Sequence, residues 1–125
     1  GVHMPWELDS DRPIYAQIVD RLKHEIVSGF YPPGSRLPSV RDLAAQASVN
    51  PNTMQKAFTE LERTGLIVTR RTSGRTVTED TALIEQVRSE LAELQISQFL
   101  TRMQHLGYQK DDSIRLLLAK KEENS

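Results

Sequence analysis

A chain of 125 residues, 38% hydrophobic and 26% charged, has the make-up of a soluble globular protein with one ordinary domain, or a small domain and an appendage. It has no cysteine, which excludes disulfides, thiolate metal sites and a cysteine nucleophile, and no apolar run of membrane-spanning length or secretory h-region. The cytoplasm is therefore the expected compartment, without a membrane partner. The net charge of −1 conceals an uneven distribution: residues 12–78 carry ten Lys and Arg against five acids, whereas residues 79–125 carry nine acids against six bases. A basic module followed by an acidic tail suits a polyanionic partner for the module alone.

Gly1-Val2-His3 ahead of Met4 reads as a tag scar, so residues 1–8 are assigned to a tag remnant and an N-terminal arm. Trp6 and Leu8 alternate with polar residues, as in a short strand or an extended arm, with Trp6 as a packing anchor. Pro13 opens a helix to about Ser28, in which Ile14, Ile18, Leu22 and Ile26 recur every four residues with Val19 beside them. Gly29 ends it, and Tyr31-Pro32-Pro33-Gly34 forms a rigid turn.

Residues 35–56 predict a short helix, a tight turn and a second helix. Ser39 can cap the first, with Asp42 three residues on completing a capping-box-like pattern, and Leu43, Ala44 and Ala47 form its apolar side. Ser48-Val49 makes the turn, Asn50 is a strong N-cap, and Pro51 occupies the first helical position, where its missing N–H costs nothing. Met54, Ala57, Phe58 and Leu61 form the inward face of the second helix, and Gly65 stops it. Its exposed end then gathers Asn50, Asn52, Thr53, Gln55 and Lys56. Amide side chains pair with adenine edges, and Lys or Arg with guanine or phosphate, so this is the composition of a helix that reads a major groove. Capping alone also accounts for Asn50.

Residues 66–78 are β-branched and alternating, interrupted by Thr72-Ser73-Gly74, which predicts a hairpin. Its tip carries Arg70, Arg71, Ser73, Gly74 and Arg75, a polar and basic set suited to phosphates or a neighbouring groove, with Gly74 permitting close backbone approach. The expected fold class is mostly α with a small β wing: a winged helix-turn-helix over 9–78, then a short two-helix dimerisation domain over 79–125. In that tail a helix from about Thr81 to His105 and another from about Asp111, capped by Asp111 or Asp112, to Lys121 are expected. Ile84, Val87, Leu91 and Leu94 make one stripe of the long helix, and Ile96, Phe99, Met103 and Leu106 a second, offset one. Ile114, Leu117 and Leu118 line the last helix. Two helices cannot bury such stripes alone. A second copy is the expected cover, with Leu91, Leu94, Phe99, Met103, Leu106, Ile114 and Leu117 at the interface; the tail folding back on its own module is the alternative.

No phosphate loop, dinucleotide turn or nucleophile elbow is present, and His24 and His105 have no ligand-spaced companions. The chain is expected to be no enzyme, with no catalytic residue, metal or cofactor. Arg41, near the start of the first short helix, can reach a phosphate or a base. Double-stranded DNA is the expected partner, with a winged-helix protein-interaction module as the rival reading.

From Tyr15 to Val77 the chain resembles the GntR family of bacterial transcription regulators. The matching runs are Tyr15-Ala-Gln-Ile18, Gly29-Phe-Tyr-Pro-Pro-Gly34, Leu37-Pro-Ser-Val-Arg-Asp-Leu-Ala44, Val49-Asn-Pro-Asn-Thr-Met-Gln-Lys-Ala57 and Leu61-Glu-Arg-Thr-Gly-Leu-Ile67. The resemblance implies a winged helix-turn-helix that binds palindromic operators as a dimer, with Arg41, Asn50, Asn52, Thr53, Gln55 and Gly74 at DNA-contact positions. The short tail is similar to that of the YtrA subfamily, whose members often control transporter operons and use the tail to dimerise. The resemblance implies a metabolite effector that the tail does not identify; a small cavity between the tails near Phe99, Met103 and Tyr108 is one place for it, with plain interface core as the alternative reading of those residues. The wing departs from the family's Arg-Gly-x-Gly-Thr-Phe-Val: this chain reads Arg71-Thr-Ser-Gly-Arg-Thr-Val77, losing one glycine and gaining Arg75.

Overall fold

A computed structural model describes residues 5–120. The tag scar at 1–3 and the expected helix end at Lys121 lie outside them. Five helices and one hairpin follow in the order α1 (Ile14–Val27), α2 (Val40–Ala47), α3 (Pro51–Arg63), β1 (Ile67–Arg70), β2 (Gly74–Val77), α4 (Thr81–His105) and α5 (Lys110–Ala119). The fold is mostly helical with a small antiparallel wing, as expected.

The core of the first unit follows from the stripes. Ile18, Leu22 and Ile26 of α1, Leu43 of α2, and Met54, Phe58 and Leu61 of α3 are almost wholly excluded from solvent. Leu66, Ile67 and Val77 carry that core into the base of the hairpin. Each such side chain contributes about 1.5–3 kcal/mol by leaving water. In the hairpin, Ile67 pairs with Val77, Thr69 with Arg75 and Arg70 with Gly74. The outer edge of β2 is not left bare: Gly34 N–H donates to Val77 O, Val77 N–H to Ser35 O and Leu37 N–H to Arg75 O, each at 2.9 Å. The Pro-Pro-Gly turn therefore delivers residues 34–37 onto the wing before α2 begins.

The N-terminal segment is an arm rather than a strand; residues 5–9 form no ladder. Gln17 of α1 holds it with both ends of its amide, accepting from Asp9 N and donating to Asp9 O, each at 2.7 Å. Arg21 donates to Pro5 O at 2.8 Å and lies 4.4 Å from the centre of the Trp6 ring.

The chain divides into two compact units, one ending at Arg88 and the other starting at Ser89. The first unit thus runs ten residues past 78, where the charge pattern changes sign. The cause is apolar: Ile84 and Val87 of α4 are buried, and the Arg88 guanidinium donates to Val27 O at the end of α1, at 2.7 and 3.2 Å.

The second unit comprises the rest of α4 and α5. Here α5 begins at Lys110, one residue earlier than expected, and Gln109 rather than Asp111 or Asp112 takes the capping position. Asp112 serves from the third helical position instead, its carboxylate accepting from Gln109 N at 2.9 Å. Among the described residues of the second unit Ser113 alone is buried, while Leu94, Leu106 and Leu118 are 52%, 73% and 81% exposed. Ile114 and Leu117 are exposed as well, and Leu91, Phe99 and Met103 are half-buried. No helix among the described residues is long and apolar enough to cross a membrane.

Candidate nucleic-acid interface

Two caps and one left-handed residue set the helix-turn-helix. Ser39 Oγ accepts from Asp42 N at 3.0 Å to start α2, and Asn50 Oδ1 accepts from Asn52 N at 2.7 Å to start α3. Between them Ser48 ends α2 at φ 56°, a conformation that a side chain able to bond its own backbone tolerates. Asn50 is therefore fully accounted for as a cap.

With Met54, Ala57, Phe58 and Leu61 turned inward, α3 presents Asn52, Lys56, Thr59 and Arg63 outward at three- and four-residue spacing. Asn52 is exposed, and among the described residues its side chain has no partner. Lys56 leans back over Tyr15 of α1, with Nζ 3.9 Å from the ring centre. Thr53 is half-buried on the other flank, lining a depression of about 390 Å³ with Trp6, Leu8 and Val49.

On the wing side, Gln55 and Glu62 face the hairpin. The Glu62 carboxylate uses both oxygens: Oε2 accepts from the Thr69 hydroxyl at 2.6 Å, and Oε1 from Arg75 Nε at 3.0 Å. Thr69 and Arg75 are a cross-strand pair, so one carboxylate of α3 grips both strands at the same level. The Thr69 hydrogen bond and then the Arg75 guanidinium hold this carboxyl below its usual 4.5. Arg75 also reaches Gln55 Oε1 at 3.4 Å and lies 5.4 Å from the Phe58 ring centre. Arg75, expected at the basic tip, thus faces α3 and is only 29% exposed.

The remaining basic residues separate by partner. Arg70 is 3.7 Å from Glu79. Arg41 and Arg71 are exposed and, among the described residues, have no hydrogen bond or ion pair. Ser73 is half-buried in the turn. Gly74 adopts φ +71°, the backbone reason for a glycine there, and a Cβ on it would lie 3.8 Å from Arg36 Nε. Arg36 is a third exposed cation without a described partner, and sequence reasoning passed it over. It lines a depression of about 570 Å³ with Tyr31, Ser39, Asp42 and Arg75, where the wing meets the start of α2. Glu62 and Tyr15 were missed too, as their partners lie 13 and 41 positions away in sequence.

Elsewhere the chemistry is sparse. His24 is exposed, its Nδ1 2.7 Å from Asp20 O, and among the described residues no group of three or more metal-ligating side chains assembles.

Residues 14–77 match the family model described as bacterial regulatory proteins, gntR family. The chain is 35% identical over 108 residues to the uncharacterized HTH-type transcriptional regulator YhcF of Bacillus subtilis, covering 86% of this chain and 89% of that protein. It is 40% identical over 100 residues to the HTH-type transcriptional repressor YtrA of the same organism, covering 78% and 76%. Among solved structures it is similar to a GntR family transcriptional regulator from Listeria monocytogenes, with a TM-score of 0.80 and 40% identity over 91% of this chain and all of the other.

Proposed function

Because this chain belongs to the gntR family of bacterial regulatory proteins, whose members are DNA-binding transcription regulators, we propose that it is a homodimeric repressor of the YtrA type acting at a palindromic operator. The observation that carries this reading is the outward face of α3. Asn52 and Lys56 are presented there with Gln55 at its wing-side edge, and the guanidinium groups of Arg41 and Arg71, unpaired among the described residues, lie on the neighbouring helix and the wing turn. Amides and a lysine serve base edges, while unpaired arginines at the flanks serve phosphates.

Each α3 enters a major groove, and the twofold axis spaces the half-sites by about one helical turn, ~34 Å. The exposed leucines of the second unit support the dimer, since Leu94 and Leu117 lie open in the single chain and a second copy would cover them. By likeness to the YtrA subfamily, a transporter operon is the proposed target and a small-molecule effector the proposed signal.

Selection of bound duplexes from a random library tests the reading. A recovered palindrome with half-sites one turn apart is the expected result, and failure to enrich any sequence at low salt overturns it. Arg71→Ala should weaken binding to all sequences alike and lower the salt slope by about one.

A further inference from the structure

The geometry points to Glu62 and Arg75 as residues that set base preference without touching DNA, by fixing which end of the Gln55 amide is free to read. This inference rests on α3 being the reading helix. Arginine carries five donors and no acceptor, so the Gln55 atom that meets Arg75 Nη2 at 3.4 Å is the amide oxygen. The amide nitrogen lies 3.3 Å from Thr59 Oγ1 and gives it one of two hydrogens. Thr59 is itself held, donating to Gln55 O at 3.0 Å. With its oxygen turned to Arg75, one of two lone pairs engaged, and one hydrogen given to Thr59, Gln55 leads with its remaining hydrogen.

That limits its chemistry. A glutamine reads adenine by donating to N7 and accepting from N6 together, which needs the oxygen turned to the base. A glutamine whose oxygen is drawn aside leads with its donor instead, which suits an acceptor-only edge: guanine O6 and N7, or thymine O4. Arg75 can hold the oxygen because it is itself aimed: Glu62 takes its Nε at 3.0 Å and anchors the opposite strand through Thr69 at 2.6 Å. Burial against the Phe58 ring adds a wall on one side. Glu62 and Arg75 are therefore positioning residues, and Gln55 the reader.

The test compares wild type, Gln55→Ala, Arg75→Met and Glu62→Gln in random-duplex selection, with salt titration of the selected operator. Wild type should favour guanine or thymine at one position per half-site, and Gln55→Ala should lose that preference. Arg75→Met should move it toward adenine by on the order of tenfold while leaving the salt slope unchanged. Glu62→Gln, which keeps the Thr69 bond and the shape of the side chain, should move it the same way by less, and guards against misfolding of the arginine variant.

If Arg75→Met weakens all sequences alike and lowers the salt slope by about one, Arg75 contacts phosphate and the inference falls while the repressor reading stands. A wild-type preference for adenine at the position that Gln55→Ala relaxes overturns it equally. If wild type enriches no sequence, the repressor reading itself fails.

Discussion

The two units of this chain satisfy opposite physical conditions. In the first, the apolar stripes of three helices and a hairpin close on one another, both helix starts of the helix-turn-helix are capped, and the Glu62 carboxylate of α3 uses both oxygens on the wing. In the second, α5 and the later turns of α4 carry leucines that stay largely in solvent, Leu118 at 81% among them. A unit of the first kind is a complete core. A unit of the second kind leaves its apolar faces open, and these are the faces that the proposed dimer would cover. On the proposed reading, the contrast separates what recognises from what assembles.

The largest effect should come from breaking the complete core. Phe58→Ala leaves a cavity against α1 and the hairpin and should cost about 3–5 kcal/mol, read from the urea midpoint of unfolding. Next comes the incomplete core. Leu117→Glu should turn a dimer into a monomer by sedimentation equilibrium and lower operator affinity by about 100-fold or more, because the two heads no longer bind as one. A dimer that survives this change, together with Leu94→Glu, places the interface elsewhere.

Asn50→Ala should cost about 1 kcal/mol through the lost cap, with the order of preferred operator sequences unchanged. The smallest effect belongs to Glu62. Its carboxyl is held below 4.5 in the folded chain, so the link stabilises the fold at pH above that value and is lost as pH falls through the lowered one. The stability difference between wild type and Glu62→Gln should be flat near neutrality and shrink on acidification.

Much of the first unit was legible from sequence because its signals are local. Periodic apolar residues, caps within three positions of what they cap, and a glycine at positive φ in the hairpin turn all act over one turn of chain. Gln109 escaped because two aspartates follow it, and acids look like caps when they serve equally well at the third helical position. The roles of Arg75 and Lys56 escaped for a different reason. A hairpin arginine and a reading-helix lysine look free until Glu62 and Tyr15 are folded against them. Charge composition likewise marked a change at residue 79, while burial of Ile84 and Val87 carries the first unit on to Arg88.

The carboxylate that grips Thr69 and Arg75 also constrains how such a protein can change over generations. Losing the carboxylate deprives both the hydroxyl and the guanidinium of their partner, and losing either of those leaves one carboxylate oxygen bare, so substitutions at the three positions should be inherited in concert. Among sister proteins, a new wing would then arrive together with a new residue on the helix. Divergence of the hairpin and divergence of the genes under control would be one event.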